Sequence, residues 1–177
     1  MLLLAIFTFL LAGCSSKEDK AKTLAHDVLV QIYEKENYPQ KFSDLYTLLH
    51  LAHSQKDGSL TYKDIEKVCK QANEIYKSYK AMRRQFSEKA KSEGVYEQYS
   101  QIMQSLFDAD CTYAPTMALY NRIDNFCENV RIADKKFANT KQHKWAVEEA
   151  WDVFDRKFLK YYSEALKIKD KCFEMVK

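Results

Sequence analysis

The hydrophobic positions near the C-terminus fall on a strict alternation. Val147, Trp151, Phe154, Phe158, Tyr161, Ala165, Ile168, Cys172 and Met175 are separated by four, three, four and three residues in turn. That spacing is an a/d seam and predicts one long helix over 141–176. A second row, Leu159, Tyr162, Leu166 and Phe173, widens the apolar face and predicts packing against more than one neighbour. The same rhythm recurs upstream. Ile65, Val68, Ala72, Ile75, Tyr79, Met82 and Phe86 predict a helix over 62–93, with Gly94 as its C-terminal stop. Val95, Tyr99, Ile102 and Leu106 predict the next, over 95–112. Pro115 suits a first helical turn, and Leu119, Ile123, Phe126, Val130, Ala133 and Phe137 carry that helix over 115–138. Two shorter helices come first. Leu24, Val28 and Ile32 mark one that ends near Tyr38-Pro39, and Phe42, Leu45, Leu49 and Ala52 mark the other.

Short connections and this spacing predict an all-α fold, an antiparallel bundle of about six helices in one domain over 23–177. Glycine supports that reading, since only Gly58 and Gly94 follow Gly13 in the 177-residue chain, too few turn residues for an all-β domain. A charged content of 30% with 46% apolar residues describes a globular chain. The net charge of +3 is too balanced to point to nucleic acid. A local basic cluster, Lys135-Lys136 and Lys141 to Lys144, reads as a solvated helix end.

The N-terminal segment departs from the helical rhythm. Leu2 to Leu11 holds nine apolar residues and one Thr; Ala12-Gly13-Cys14 follow, and the chain turns polar at Ser15-Ser16-Lys17-Glu18-Asp19-Lys20. About 12 apolar residues are too few to span a bilayer, which needs roughly 20. The segment Leu11-Ala12-Gly13-Cys14, with the apolar run before it and Ser15 after it, resembles the signal sequence and lipobox of bacterial lipoproteins. The resemblance implies a signal peptide over 1–13, removal of everything before Cys14, and acyl chains such as palmitate on that cysteine. It implies a lipid-anchored protein of the bacterial cell envelope, sorted to the outer membrane by Ser15. Residues 14–22 then read as a lipidated N-terminus and polar tether.

Cys69, Cys111, Cys127 and Cys172 remain, without CxxC or zinc-type spacing. An even number in an exported protein reads as two disulfides. Treating the four long helices as straight antiparallel rods with about 1.5 Å rise per residue puts Cys69 and Cys172 at one level, roughly 36 and 38 Å from Gly94. The expected pairs are therefore Cys69–Cys172 and Cys111–Cys127.

One stretch carries a hint of metal chemistry. Residues 57–65 resemble the second half of an EF-hand calcium loop: Asp57 at position five, Gly58 at the sharp turn, Ser59 next, Thr61 at position nine and Asp64 at position twelve. His53 and Gln55 stand where positions one and three need hard oxygen ligands, so calcium binding is expected to be weak or nil. The same residues also read as an Asp-Gly turn followed by a Thr61–Asp64 capping box. His50 and His53 lie three apart on one helix, without a neighbouring acid in sequence. Glu148, Glu149, Asp152 and Asp155 lack the Glu-x-x-His motif of a di-iron bundle. GxSxG, P-loop and HExxH motifs are missing as well.

Twelve tyrosines are present, and Tyr76, Tyr96, Tyr113, Tyr120 and Tyr162 sit partly off the seams, where an exposed group would suit a binding surface. The expected function is contact rather than catalysis: no enzyme, no cofactor and no metal, with the membrane met through the lipid anchor and another envelope or secreted protein as partner. Immunity, exclusion, inhibition and assembly are such roles. The alternative is a periplasmic calcium- or small-ligand-binding module built on the 53–64 loop.

Overall fold

The computed structural model describes residues 16–56 and 59–177. Residues 1–15, where the signal peptide and the acylated Cys14 are expected, lie outside the described residues, as do Asp57 and Gly58. Among the described residues six α-helices follow one another: α1 (Lys17–Val30), α2 (Tyr38–Lys56), α3 (Tyr62–Ser92), α4 (Tyr96–Asp108), α5 (Leu119–Phe137) and α6 (Lys141–Glu174). A π-helical turn, Gln31–Lys35, extends α1, and a second, Tyr113–Ala118, leads into α5. No strand occurs among the described residues.

Four helices run antiparallel to their neighbours and form the core. Along α3 and α5 the matched pairs are Tyr62 with Asp134, Cys69 with Cys127, and Tyr76 with Tyr120. Each step down α3 is a step back along α5. Helix α6 returns along α5, with Phe154 stacked on Phe126 at 4.8 Å. Helix α2 runs against α6, with Tyr46 stacked on Phe158 at 4.8 Å and His53 on Trp151 at 4.3 Å. The core side chains at these seams, including Phe42, Phe126 and Phe158, are fully buried. Burying each contributes about 1.5–3 kcal/mol.

Helix α4 leaves the alternation. It packs against α1, and the pair covers the end where α3 and α6 finish. There His26 and Tyr33 meet Phe173, Lys169 pairs with Glu34, and the Tyr33 hydroxyl donates to the Cys111 carbonyl. Burial pushes the Tyr33 phenol far above its ordinary value, which keeps it a donor.

This course corrects the disulfides. The pairs are Cys69–Cys127 and Cys111–Cys172, with Cα–Cα distances of 6.1 and 5.5 Å. All four cysteines are joined, but the expected pairing fails because it treated α4 as a full-length rod. With α4 folded over the end, α5 runs against α3 and α6 runs along it. Cys127 therefore comes level with Cys69, and Cys111 stays at the end that Cys172 reaches.

Three further differences have local causes. The tether expected over 14–22 is helix from Lys17 onward. Ser16 and Asp19 form a capping box: the Asp19 N–H donates to Ser16 Oγ, and the Ser16 N–H donates to the Asp19 carboxylate. Ala21 is already fully buried. Helix α4 stops at Asp108 rather than 112, because Asp110 takes the left-handed conformation (φ +61°). The Cys111 N–H then bonds to the Leu106 carbonyl and the Asp110 N–H to Phe107, a Schellman stop. Gly94 ends α3 by the same motif, with Val95 bonded to Ala90. Last, Leu159 and Leu166 of the second α6 row face outward, 45% and 53% exposed. Helix α6 does meet α5, α2 and α1, through other residues.

Candidate functional site

The end of the bundle opposite α1 gathers the residues singled out for chemistry. Here α2 ends, α3 begins, α5 ends and α6 begins. Asp134, in the last turn of α5, joins three of these elements. Its Oδ2 accepts the Tyr62 N–H at 2.7 Å, and its Oδ1 lies 2.7 Å from His143 Nε2. The first N–H groups of a helix have no partner within it, so a carboxylate there satisfies a donor and meets the positive end of the α3 dipole. His143 is buried, and the contact with Asp134 fixes its ring against the α5–α6 turn.

Beside this clip, Thr61 and Asp64 take the capping-box geometry. The Thr61 N–H and hydroxyl both donate to Asp64 Oδ2, at 2.9 and 2.8 Å. Lys56 Nζ lies 3.0 Å from the other oxygen. Burial pushes the Asp64 carboxyl up, but the Thr61 hydrogen bonds and the Lys56 ammonium outweigh it and hold the group below its usual range. The Ser59 hydroxyl donates to the Lys56 carbonyl. Ser59, Thr61 and Asp64 thus turn to partners within the loop and do not converge on a common centre. Asp57 lies outside the described residues.

A cleft of about 300 Å³ opens between Thr61, Asp134, Thr140 and His143. An aspartate-oriented imidazole could exchange protons there, but the Ser59, Thr61 and Thr140 hydroxyls donate to a backbone carbonyl, to Asp64 and to the Phe137 carbonyl. None is directed at the imidazole as a nucleophile would be.

The two α2 histidines do not face one another as metal ligands. His53 stacks on Trp151 at an interplanar angle of 9°, and His50 meets the same indole edge-on at 5.7 Å. An acid does approach from α6: Glu148 Oε2 is 3.2 Å from His53 Nε2, though the angle does not make a hydrogen bond. Asp155 accepts the hydroxyl of Tyr46. Burial, with the Asp155 charge behind it, pushes that phenol far up. Among the described residues no three His, Cys, Asp or Glu side chains are grouped to hold a metal ion.

The five tyrosines do not form one patch. Tyr76 and Tyr120 stack at 4.1 Å on the α3–α5 face, and the Tyr120 hydroxyl donates to Asn73. Burial and the Asp124 carboxylate push the Tyr120 phenol up to about 12. Tyr113 packs edge-on to Phe107 and Tyr161, Tyr162 stacks on Phe158, and Tyr96 stands exposed under Lys91. The Asp134 clip and the Tyr46–Asp155 bond had no signal in sequence, because their partners stand 72 and 109 residues apart.

No helix among the described residues is long and apolar enough to cross a membrane. No protein-family model matches the chain, and no curated protein or solved structure matches it.

Proposed function

We propose that this protein is a lipoprotein of the bacterial cell envelope, acylated on Cys14, which acts by binding another envelope or secreted protein. The observation that carries the reading is the pair of disulfides. Cys69–Cys127 ties α3 to α5 and Cys111–Cys172 ties the turn after α4 to α6, and such bonds persist in oxidising, extracytoplasmic compartments. Export is also what the Leu11–Cys14 lipobox calls for. Contact rather than catalysis is supported by where the chemistry-bearing side chains go: Asp134, Asp64 and Asp155 each bind a partner that fixes the fold. Meanwhile large apolar side chains such as Leu48, Leu51 and Leu166 remain about half-exposed.

Changing Cys14 to Ala and fractionating cells tests the anchor. Loss of acyl labelling and of membrane retention is expected; unchanged processing and retention would overturn it. Crosslinking in the envelope tests the mode of action, with a reproducible protein adduct expected. A substrate turned over by the purified protein, with activity lost on changing Asp134 or His143, would refute the contact reading.

A further inference from the structure

The α5–α6 turn forms a tip at the end of the bundle opposite α1. Residues 135–145, Lys-Lys-Phe-Ala-Asn-Thr-Lys-Gln-His-Lys-Trp, carry four lysines and no acid. The left-handed Asn139 (φ +60°) makes a sharp turn between the end of α5 at Phe137 and the start of α6 at Lys141. Trp145 is 69% exposed, more than any other large apolar side chain among the described residues, and Phe137 is 37% exposed on the facing flank. Lys135, Lys136 and Lys141 are exposed, and none has an ion-pair partner among the described residues. The acids nearby are engaged elsewhere: Asp134 with Tyr62 and His143, Asp64 with Thr61 and Lys56, and Glu148 with His53. Glu149, one turn along α6, is the exposed acid closest in sequence.

From this we infer that the tip is a docking surface for an anionic lipid bilayer. The chemistry fits on three counts. Indole and phenyl rings settle at the level of lipid headgroups, where an apolar body meets a wet edge. Lysine stems lie along apolar surface while their ammonium groups reach outward to phosphate. A planar charged surface also accepts a convex turn, whereas a protein partner for so exposed a tryptophan would need a pocket shaped to it. The inference stands on the described residues and does not need acylation of Cys14.

The test uses the protein purified as the cell makes it and, so that no acyl chain can hold it to a vesicle, its Cys14→Ala variant, each mixed with vesicles whose acyl chains are brominated to quench tryptophan. One set is phosphatidylcholine alone; the other includes phosphatidylglycerol. Trp145 emission should be quenched on the anionic vesicles only, with quenching lost at high salt and absent in Trp145→Phe. Lys135→Glu with Lys136→Glu and Lys141→Glu should weaken binding by more than about a hundredfold, since loss of three lysines near an anionic surface alone accounts for that much and the new carboxylates add repulsion. The matching Lys→Gln set should fall between, with the helical circular dichroism of every variant unchanged. Equal quenching on both vesicle types, or none on either, would overturn the proposal. An emission shift with soluble polyglutamate but not with vesicles would overturn it in favour of an acidic polypeptide.

Discussion

At the end where α1 and α4 meet, closure is apolar and covalent. Leu24, Val28, Leu29 and Ile32 are buried there, and both sulfurs of Cys111–Cys172 sit in fully buried residues. At the opposite end closure is polar: Asp134 and Asp64 hold the start of α3 by hydrogen bonds, and aromatic side chains stand out beyond them. Apolar packing is non-directional and gains from every buried methylene, whereas a carboxylate clip positions a helix start and leaves the surrounding surface free. One end is therefore closed by buried apolar packing, and the other leaves apolar side chains such as Trp145 and Phe137 in the open.

The sharpest way to break this contrast is to remove each disulfide in turn. The bridges span similar separations, 61 and 58 residues, so by chain entropy each contributes about 4 kcal/mol. Changing Cys111 and Cys172 to Ala should nonetheless cost more than changing Cys69 and Cys127, because the first pair is wholly buried and leaves a void. Equal midpoint shifts in urea would show that burial adds nothing at the α1 end. Next in size, Leu24→Ala should lower stability by about 3 kcal/mol, since Leu24 is 2% exposed between α1 and its neighbours. A loss under about 1 kcal/mol in thermal unfolding would mean that α1 is only loosely seated.

At the polar end, Asp134→Ala should cost about 2 kcal/mol by orphaning the Tyr62 N–H and the buried His143 ring. Hydrogen exchange should localise the loss to the first turn of α3. Acid should have a smaller effect on the same turn. The folded-state value of Asp64 is depressed, so its contribution is fully present above its unfolded value and is lost as pH falls through the folded one. Residues 61–65 should fray further below about pH 4, and in Asp64→Asn they should fray alike on both sides of that pH; an unaltered acid-dependent step in that variant would dismiss the capping carboxylate as its cause. Smallest of all, Trp145→Ala should change stability by less than about 0.5 kcal/mol, as expected of an exposed side chain free of fold-defining contacts.

Periodicity made most helix bodies legible, and the α6 seam is the clearest case. Val147, Trp151, Phe154, Phe158, Ala165 and Cys172 are all buried where the spacing puts them. Gly94 was legible as a stop because glycine is the residue most at ease at positive φ. Asn37, Asp110 and Asn139 do the same work at φ between +46° and +61°, and that role is hard to see in residues that also cap and solvate. The stripe Val95, Tyr99, Leu106 reveals that α4 is a helix but not which neighbour it covers. That one unknown inverted the sense of α5 and α6 and misassigned both disulfides. The candidate loop was legible only as two competing motifs, and its actual partners come from elsewhere: Asp134 binds Tyr62 across 72 residues.

The cap at Ser16 sets a leash. Since α1 begins at Lys17, a chain held by an acyl group on Cys14 has three peptide links before rigid structure, a reach of about 10 Å. Such a body cannot patrol the space above its membrane as a domain on a long linker does. On such an anchor the body would stay close to the bilayer, reaching outward by little more than the length of α3, about 45 Å. Partners would have to come to it, and those confined to the same membrane would meet it at a high effective concentration.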